Sequence, residues 1–209
     1  MRRIFLFLAL SFSAFAQSEK FNHVQWKLTF DQAAAASGAT VSGHLEAIVD
    51  PEWHMYSLTT PPGPIATTIE AVDSPAIERV TIFEPPPVRR FDPNFNADTE
   101  TYEGTQVFLA RIELKKDLPP GPDTNTFKAR YQTCSGTSCI PPRTRQATAN
   151  LNIASGTPLA AFNIPAGYIE AKPAAASPQS ALKTAPVKDA DGLGSFLGLA
   201  FGCKSGSGL

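Results

Sequence analysis

Val24-Gln25-Trp26-Lys27-Leu28-Thr29-Phe30 puts a large apolar side chain at every second position and a polar one between. A period of two marks a β-strand with one buried and one solvated face. The texture recurs downstream, and further strands are expected at Thr40 to Val49, Trp53 to Leu58, Thr67 to Val72, Glu78 to Phe83, Gln106 to Leu114, Thr126 to Thr133 and Gln146 to Ile153. Between them stand Pro61, Pro62 and Pro64, then Pro85 to Pro87, Pro119, Pro120 and Pro122, and finally Pro141 and Pro142. Proline cannot donate to a sheet ladder, so such clusters mark strand ends and loops. The 19 prolines among 209 residues, about 9% against the usual ~5%, also argue against a helical bundle. Ala33 to Ala36 is too short to nucleate a helix alone. The fold expected is all-β, with short strands spaced as in a sandwich.

The flanks differ from this body. Arg2 and Arg3, the apolar run Ile4 to Leu10 with Phe12, and Ala14-Phe15-Ala16 have the order of a secretory signal, so residues 1–16 are expected to be a signal peptide cut before Gln17. No cysteine near the cut supports a lipid anchor. An exported chain lives where disulfides persist. With 18 basic and 19 acidic residues there is no electrostatic footprint for a polyanion, and nucleic-acid binding is not expected. The strand-rich domain is expected over 17–155 and an Ala/Pro-rich flexible linker over 156–191, its Glu170 to Asp191 part almost free of large apolar residues. Residues 192–209 read as an incomplete apolar segment or irregular tail: the run from Gly192 to Gly202, with Leu193, Phe196, Leu197, Leu199 and Phe201, supplies about half of the roughly 20 residues a membrane helix needs. The odd cysteine, Cys203, belongs to this end.

Chemistry concentrates in Tyr131-Gln132-Thr133-Cys134-Ser135-Gly136-Thr137-Ser138-Cys139-Ile140-Pro141-Pro142. If the Ser-Gly-Thr-Ser connector closes a hairpin, the two cysteines oppose each other closely enough to bridge. A ring this short stabilises little through loop closure, and short exposed disulfides are often labile or catalytic. From spacing alone a redox pair, a structural bridge and a metal site all stand open. The last is weakest, since only His23, His44 and His54 are at hand and no second cysteine pair completes a thiolate site. No Gly-x-Ser-x-Gly elbow or phosphate-binding glycine loop occurs. Trp53 to Leu58 reads as an aromatic core strand. Phe91 to Gly104 reads as a polar loop whose Phe91, Phe95 and Tyr102 point to a lid or a partner surface.

Three motifs in sequence order carry a resemblance: Trp53-His54-Met55-Tyr56-Ser57 with Pro61-Pro62-Gly63-Pro64, Phe91-Asp92-Pro93-Asn94-Phe95 leading to Tyr102-Glu103-Gly104, and Tyr131-Gln132-x-Cys134 to Cys139-x-Pro141-Pro142. Over roughly 21–153 the chain resembles the N-terminal periplasmic domain of the thiol:disulfide interchange protein DsbD family. The resemblance implies an immunoglobulin-like sandwich and a protein-disulfide reductase activity that relays electrons through a reversible Cys134–Cys139 disulfide without a cofactor or metal. It further implies a periplasmic location, with a membrane tether if the chain continues. The implied partners are a thioredoxin-like domain and a transmembrane domain on the donor side, and periplasmic disulfide isomerases and cytochrome c maturation thioredoxins on the acceptor side. Cys139 would form the mixed disulfides and Cys134 resolve them. Phe95 takes the place of a cap-loop phenylalanine and Asp92 is nearest to the family's acidic group. Tyr56 and His54 take positions of tyrosines beside the site, and Tyr102 and Tyr131 complete the surroundings. The rival expectations are a non-catalytic binding sandwich with a structural disulfide, and a non-functional truncation.

Overall fold

The computed structural model describes residues 21–159 and 162–172, which hold twelve strands and no α-helix. The expected signal peptide, the linker from 173 on, the apolar tail and Cys203 lie outside the described residues. No helix among the described residues is long and apolar enough to cross a membrane.

One antiparallel sheet has the order β1 (Val24–Phe30), β3 (Thr40–Val49), β9 (Thr105–Leu114), β6 (Ile77–Glu84) and β12 (Ile169–Glu170). The other runs β2 (Ala34–Ala36), β11 (Cys139–Ala154), β10 (Gly121–Cys134), β4 (His54–Tyr56), β8 (Ala97–Tyr102) and β7 (Val88–Asp92), with β5 (Thr68–Ala71) also paired to β10. Together they make the all-β, immunoglobulin-like sandwich the sequence implies. The opening alternation behaves as read: Val24 and Leu28 are buried while Trp26 and Phe30 pack partly buried against the same core. Leu45, Phe108 and Ile112 face Met55, Phe127, Tyr131 and Leu151 within one apolar cluster. Burial of such side chains contributes about 1.5–3 kcal/mol each before ordering entropy is set against it.

Several expectations give way. Phe91 to Gly104 is not a loop but the greater part of the β7–β8 hairpin, in which Asp92 opposes Ala97 and Val88 opposes Thr101. The alternation is hidden in the sequence because its buried face includes Thr99 and Thr101, threonines rather than aliphatics. Ala34–Ala36 is a strand, parallel to Asn152–Ala154. Pro141 and Pro142 do not stop a strand but lie inside β11, where the register slips between Tyr131 and Thr133. Here β11 has β10 on one side only, and a bulge on an open edge is where a residue without an N–H does least harm. The domain also runs past residue 155. Ile169 and Glu170 pair with Glu84 and Phe83, the Tyr168 hydroxyl donates to the Val107 carbonyl at 2.8 Å, and Phe162 packs against Phe83 with ring centroids 5.4 Å apart.

What positions the site is the junction on β10. β5 pairs with its Phe127–Arg130 stretch and β4 with Thr133 and Cys134, so the two short strands lie end to end along one side of it. The Pro61-Pro62-Gly63-Pro64 connector spans the gap between them. On the other side of β10, the hairpin into β11 sets Cys139 directly opposite Cys134.

Candidate redox site

Register decides which side chains meet. Thr133 opposes Met55 and Met55 opposes Tyr102, all buried, with Met55 and Tyr102 in the core cluster. Because neighbouring residues on a strand face opposite ways, Cys134, His54 and Tyr56 share the outer face of the sheet. Outer-face residues are normally wet, yet Cys134 and Tyr56 are each 0% exposed, so something covers them.

Over Tyr56 the cover is the tip of the β7–β8 hairpin, which is also bonded to the cysteine connector. Asp92 accepts the Asn94 backbone N–H at 2.8 Å on Oδ1, and its carbonyl accepts from Phe95 N at 3.3 Å, which makes Asp92-Pro93-Asn94-Phe95 a self-bonded turn. Phe95 then meets Tyr56 edge to face, ring centroids 5.7 Å apart. The same ring packs on Gly63, where an added Cβ would sit 3.7 Å from it and where φ of +145° already disfavours other residues. From the tip, the Asn94 side chain donates to the Ser135 carbonyl at 3.1 Å, joining the cap to the cysteine hairpin.

Cys134 and Cys139 are disulfide-bonded with Cα atoms 4.1 Å apart, and Cys139 is half-buried where Cys134 is wholly so. Their connector is closed by Ser135 N donating to the Ser138 carbonyl at 2.7 Å, while Ser135 Oγ accepts from Ser138 N at 3.2 Å. Beside it opens a cleft of about 230 Å³ lined in part by His54, Asp92, Thr101, Ser135 and Gly136.

A polar network lies under the cap. The Tyr56 hydroxyl donates to Asp92 Oδ2 at 2.6 Å. That uses the phenol's only proton, so His54 Nε2, 3.2 Å from the Tyr56 oxygen and 3.5 Å from Asp92 Oδ2, carries a hydrogen and donates toward them. Burial holds the His54 imidazole below its ordinary pKa, against the pull of Asp92. Burial and the adjacent Asp92 push the Tyr56 phenol up. For Asp92 itself burial acts upward, but the Tyr56 hydroxyl and the Asn94 bonds outweigh it and the carboxyl titrates below its usual value. A depressed carboxylate adds stability above its unfolded pKa of about 4 and loses it as pH falls through the folded value. Asp92→Asn is therefore expected to lower stability by about 1–2 kcal/mol at neutral pH. The gap to wild type should narrow as pH falls below about 4 in parallel thermal melts; a gap independent of pH would contradict this assignment.

Of the residues singled out from sequence, Cys134, Cys139, Phe95, Asp92, Tyr56 and His54 thus meet in one place. Tyr102 and Tyr131 do not. The Tyr102 hydroxyl donates to the Pro85 carbonyl at 2.7 Å and lies 2.9 Å from Glu84 Oε2, and Tyr131 donates to Asn22 Oδ1 at 2.7 Å. Both stand on the inner face and anchor the frame behind the site. Sequence reasoning missed Asn94 and Ser135, though Asp-Pro-Asn is a recognisable turn signature. It also missed Glu84, wholly buried, which accepts from Leu58 N at 2.9 Å at the head of the proline-rich connector.

Among solved structures, the N-terminal periplasmic domain of ScsB from Proteus mirabilis is 21% identical, with a TM-score of 0.48 over 64% of this chain and 48% of that one. This chain therefore spans about half of that structure's length. The reduced N-terminal domain of Neisseria meningitidis DsbD is 11% identical, with a TM-score of 0.35 over 70% of this chain and 90% of that one. No curated protein sequence matches significantly. The family model described as thiol:disulfide interchange protein DsbD, N-terminal, matches residues 25–151. That match takes in more than half of the chain and every element of the capped disulfide, and the chain belongs to the DsbD N-terminal domain family.

Proposed function

We propose that residues 17–155, extended to residue 172 by the segment that pairs with β6, form a periplasmic domain that relays two electrons by thiol-disulfide exchange through Cys134 and Cys139. In this reading a thioredoxin-like domain supplied by a transmembrane module reduces the pair, and the reduced pair passes its electrons to oxidised partners such as disulfide isomerases and cytochrome c maturation thioredoxins. The observation that carries it is a short disulfide on the outer face of the sheet, one sulfur's residue buried and the other's half-exposed, under a hairpin cap. A purely structural bridge needs no such cover, and one closing a ring this short contributes little loop-closure stabilisation. Cys139, the more accessible, takes the partner's sulfur; Cys134 resolves the mixed disulfide. The test is capture of a mixed disulfide between the Cys134→Ala domain and a thioredoxin-like partner.

Phe95 acts in this reading as a gate that keeps stray oxidants and thiols from the pair until a partner displaces it. An aromatic pair of this geometry adds about 0.5–1.5 kcal/mol, so Phe95→Ala is expected to raise the alkylation rate of the reduced domain up to about ten-fold. An unchanged iodoacetamide rate would count against the gate.

A further inference from the structure

The register that sets Cys134 against Cys139 on one side of β10 sets it against His54 on the other. Directly opposed residues have Cβ atoms about 4.5–5.5 Å apart on the same face of a sheet, so the imidazole and the Cys134 sulfur spring from adjacent positions on one face. The His54 ring is oriented from behind: Nε2–H points at Tyr56 and Asp92, and Nδ1 takes no hydrogen bond among the described residues. A sulfur, an imidazole with a vacant nitrogen, and a carboxylate fixing the tautomer are the parts of an activated thiol.

We propose that His54 is the general base for Cys134 in the step that resolves the mixed disulfide, with Asp92 and Tyr56 as its positioning residues. The inference rests on the relay reading only in assigning resolution to Cys134. Once Cys139 is joined to a substrate sulfur, the Cys134 thiol passes its proton to His54 Nδ1 and its sulfur attacks Cys139 Sγ. The Cys134–Cys139 bond forms, the bond from Cys139 to the substrate breaks, and the substrate thiolate leaves with the electron pair. The domain is oxidised by two electrons and the substrate reduced by two. The proton on His54 then goes to the departing thiolate or to water.

The burial that makes Cys134 hard to reach also disfavours a bare thiolate there, which is why an acceptor beside it matters. The charged groups acting on His54 are Asp92 and Arg90 of β7 and Glu103 beyond β8, with Tyr56 on its own strand. Arg90 is engaged by Glu103 at 2.5 Å, which leaves Asp92 as the nearest unneutralised charge. Burial keeps the imidazole neutral at pH 7 and thus able to accept a proton.

An aromatic disulfide with a coloured leaving group, such as 5,5'-dithiobis(2-nitrobenzoate), separates the steps. The reduced domain releases one thiolate when Cys139 attacks and a second when Cys134 resolves, and Cys134→Ala, releasing only the first, assigns the phases. His54→Gln keeps a donor toward Tyr56 and Asp92 but accepts no proton at this pH. It is expected to slow the second phase by about 10²-fold at pH 7 while the first stays within about two-fold. In the wild type the second phase should rise with pH through an inflection below about 6.5; in His54→Gln the rise should move toward the range of a free thiol, about 8.5. His54→Phe, which keeps the ring's bulk, should reproduce the slow second phase. Equal slowing of both phases, or an unshifted pH profile, would overturn the proposal. The probe is a small molecule, so these outcomes are read whether or not a thioredoxin-like partner reacts.

Discussion

Cys139→Ser is expected to reduce electron transfer to protein partners by at least about 10³-fold, the scale seen when a covalent nucleophile is removed, whereas Cys134→Ala should accumulate a mixed disulfide. The asymmetry follows from exposure. Cys139 is half-buried at the rim of the hairpin, and in the proposed relay its sulfur is the one an incoming disulfide meets first. Cys134 is 0% exposed on its strand, so the same proposal has it react with a sulfur already brought to Cys139 and not with one from solution. Without Cys134 the adduct on Cys139 has no internal exit. Non-reducing gels after acid quench, with a thioredoxin-like protein lacking its own resolving cysteine, should show a one-to-one adduct for Cys134→Ala and none for Cys139→Ser. Adducts on both variants would mean that burial does not set the order of attack. Adducts on neither would remove the relay and leave a structural bridge.

The second large effect concerns the frame. Phe108 is wholly buried, opposed to Leu45 across β3 and β9, with ring centroids 5.7 Å from Trp26 and 5.4 Å from Tyr102. Phe108→Ala removes a large side chain from between two sheets that cannot collapse onto the gap without shifting their registers, and should cost about 3–5 kcal/mol. Urea unfolding followed by tryptophan fluorescence would read it as a fall in midpoint at nearly constant slope. Trp26 lies against the lost ring, so the native baseline should also change. A loss below about 1 kcal/mol would show that the sandwich repacks there. Tyr102, which touches Phe108 on the inner face, stands directly opposite Met55, the residue between His54 and Tyr56. The cavity should therefore loosen the floor of the cysteine site as well as lower global stability.

How far the sequence spoke for this molecule depends on what kind of residue does the burying. β1, β3 and β9 bury aliphatic and aromatic side chains at alternate positions, and their alternation is plain in the letters. β7–β8 buries Asp92, Thr99 and Thr101 beside Tyr102, and polar residues at the buried positions make an alternating strand look like a loop in the letters alone. Pro141 and Pro142 look like punctuation because proline usually is; the one-sided pairing of β11 there explains their tolerance. The candidate site was legible as a set of residues through the family motifs, but not as a constellation. His54 and Asp92 are far apart in the chain, and their meeting depends on two successive strand pairings, β4 with β8 and β8 with β7. Tyr102 and Tyr131 belong to the same motifs and yet support the frame, since one-residue parity along a strand separates a core anchor from a site residue.

The two-residue strand Ile169–Glu170 bears on how this domain behaves when isolated. It occupies the outer edge of β6, where Phe83 and Glu84 would otherwise offer unpaired backbone groups. A polypeptide ended at residue 155 would fold its redox pair but leave that border bare, an invitation for a second copy to add itself strand to strand. The segment expected to be a flexible linker thus begins with a bumper against self-assembly, and the natural place to end an isolated domain is beyond it.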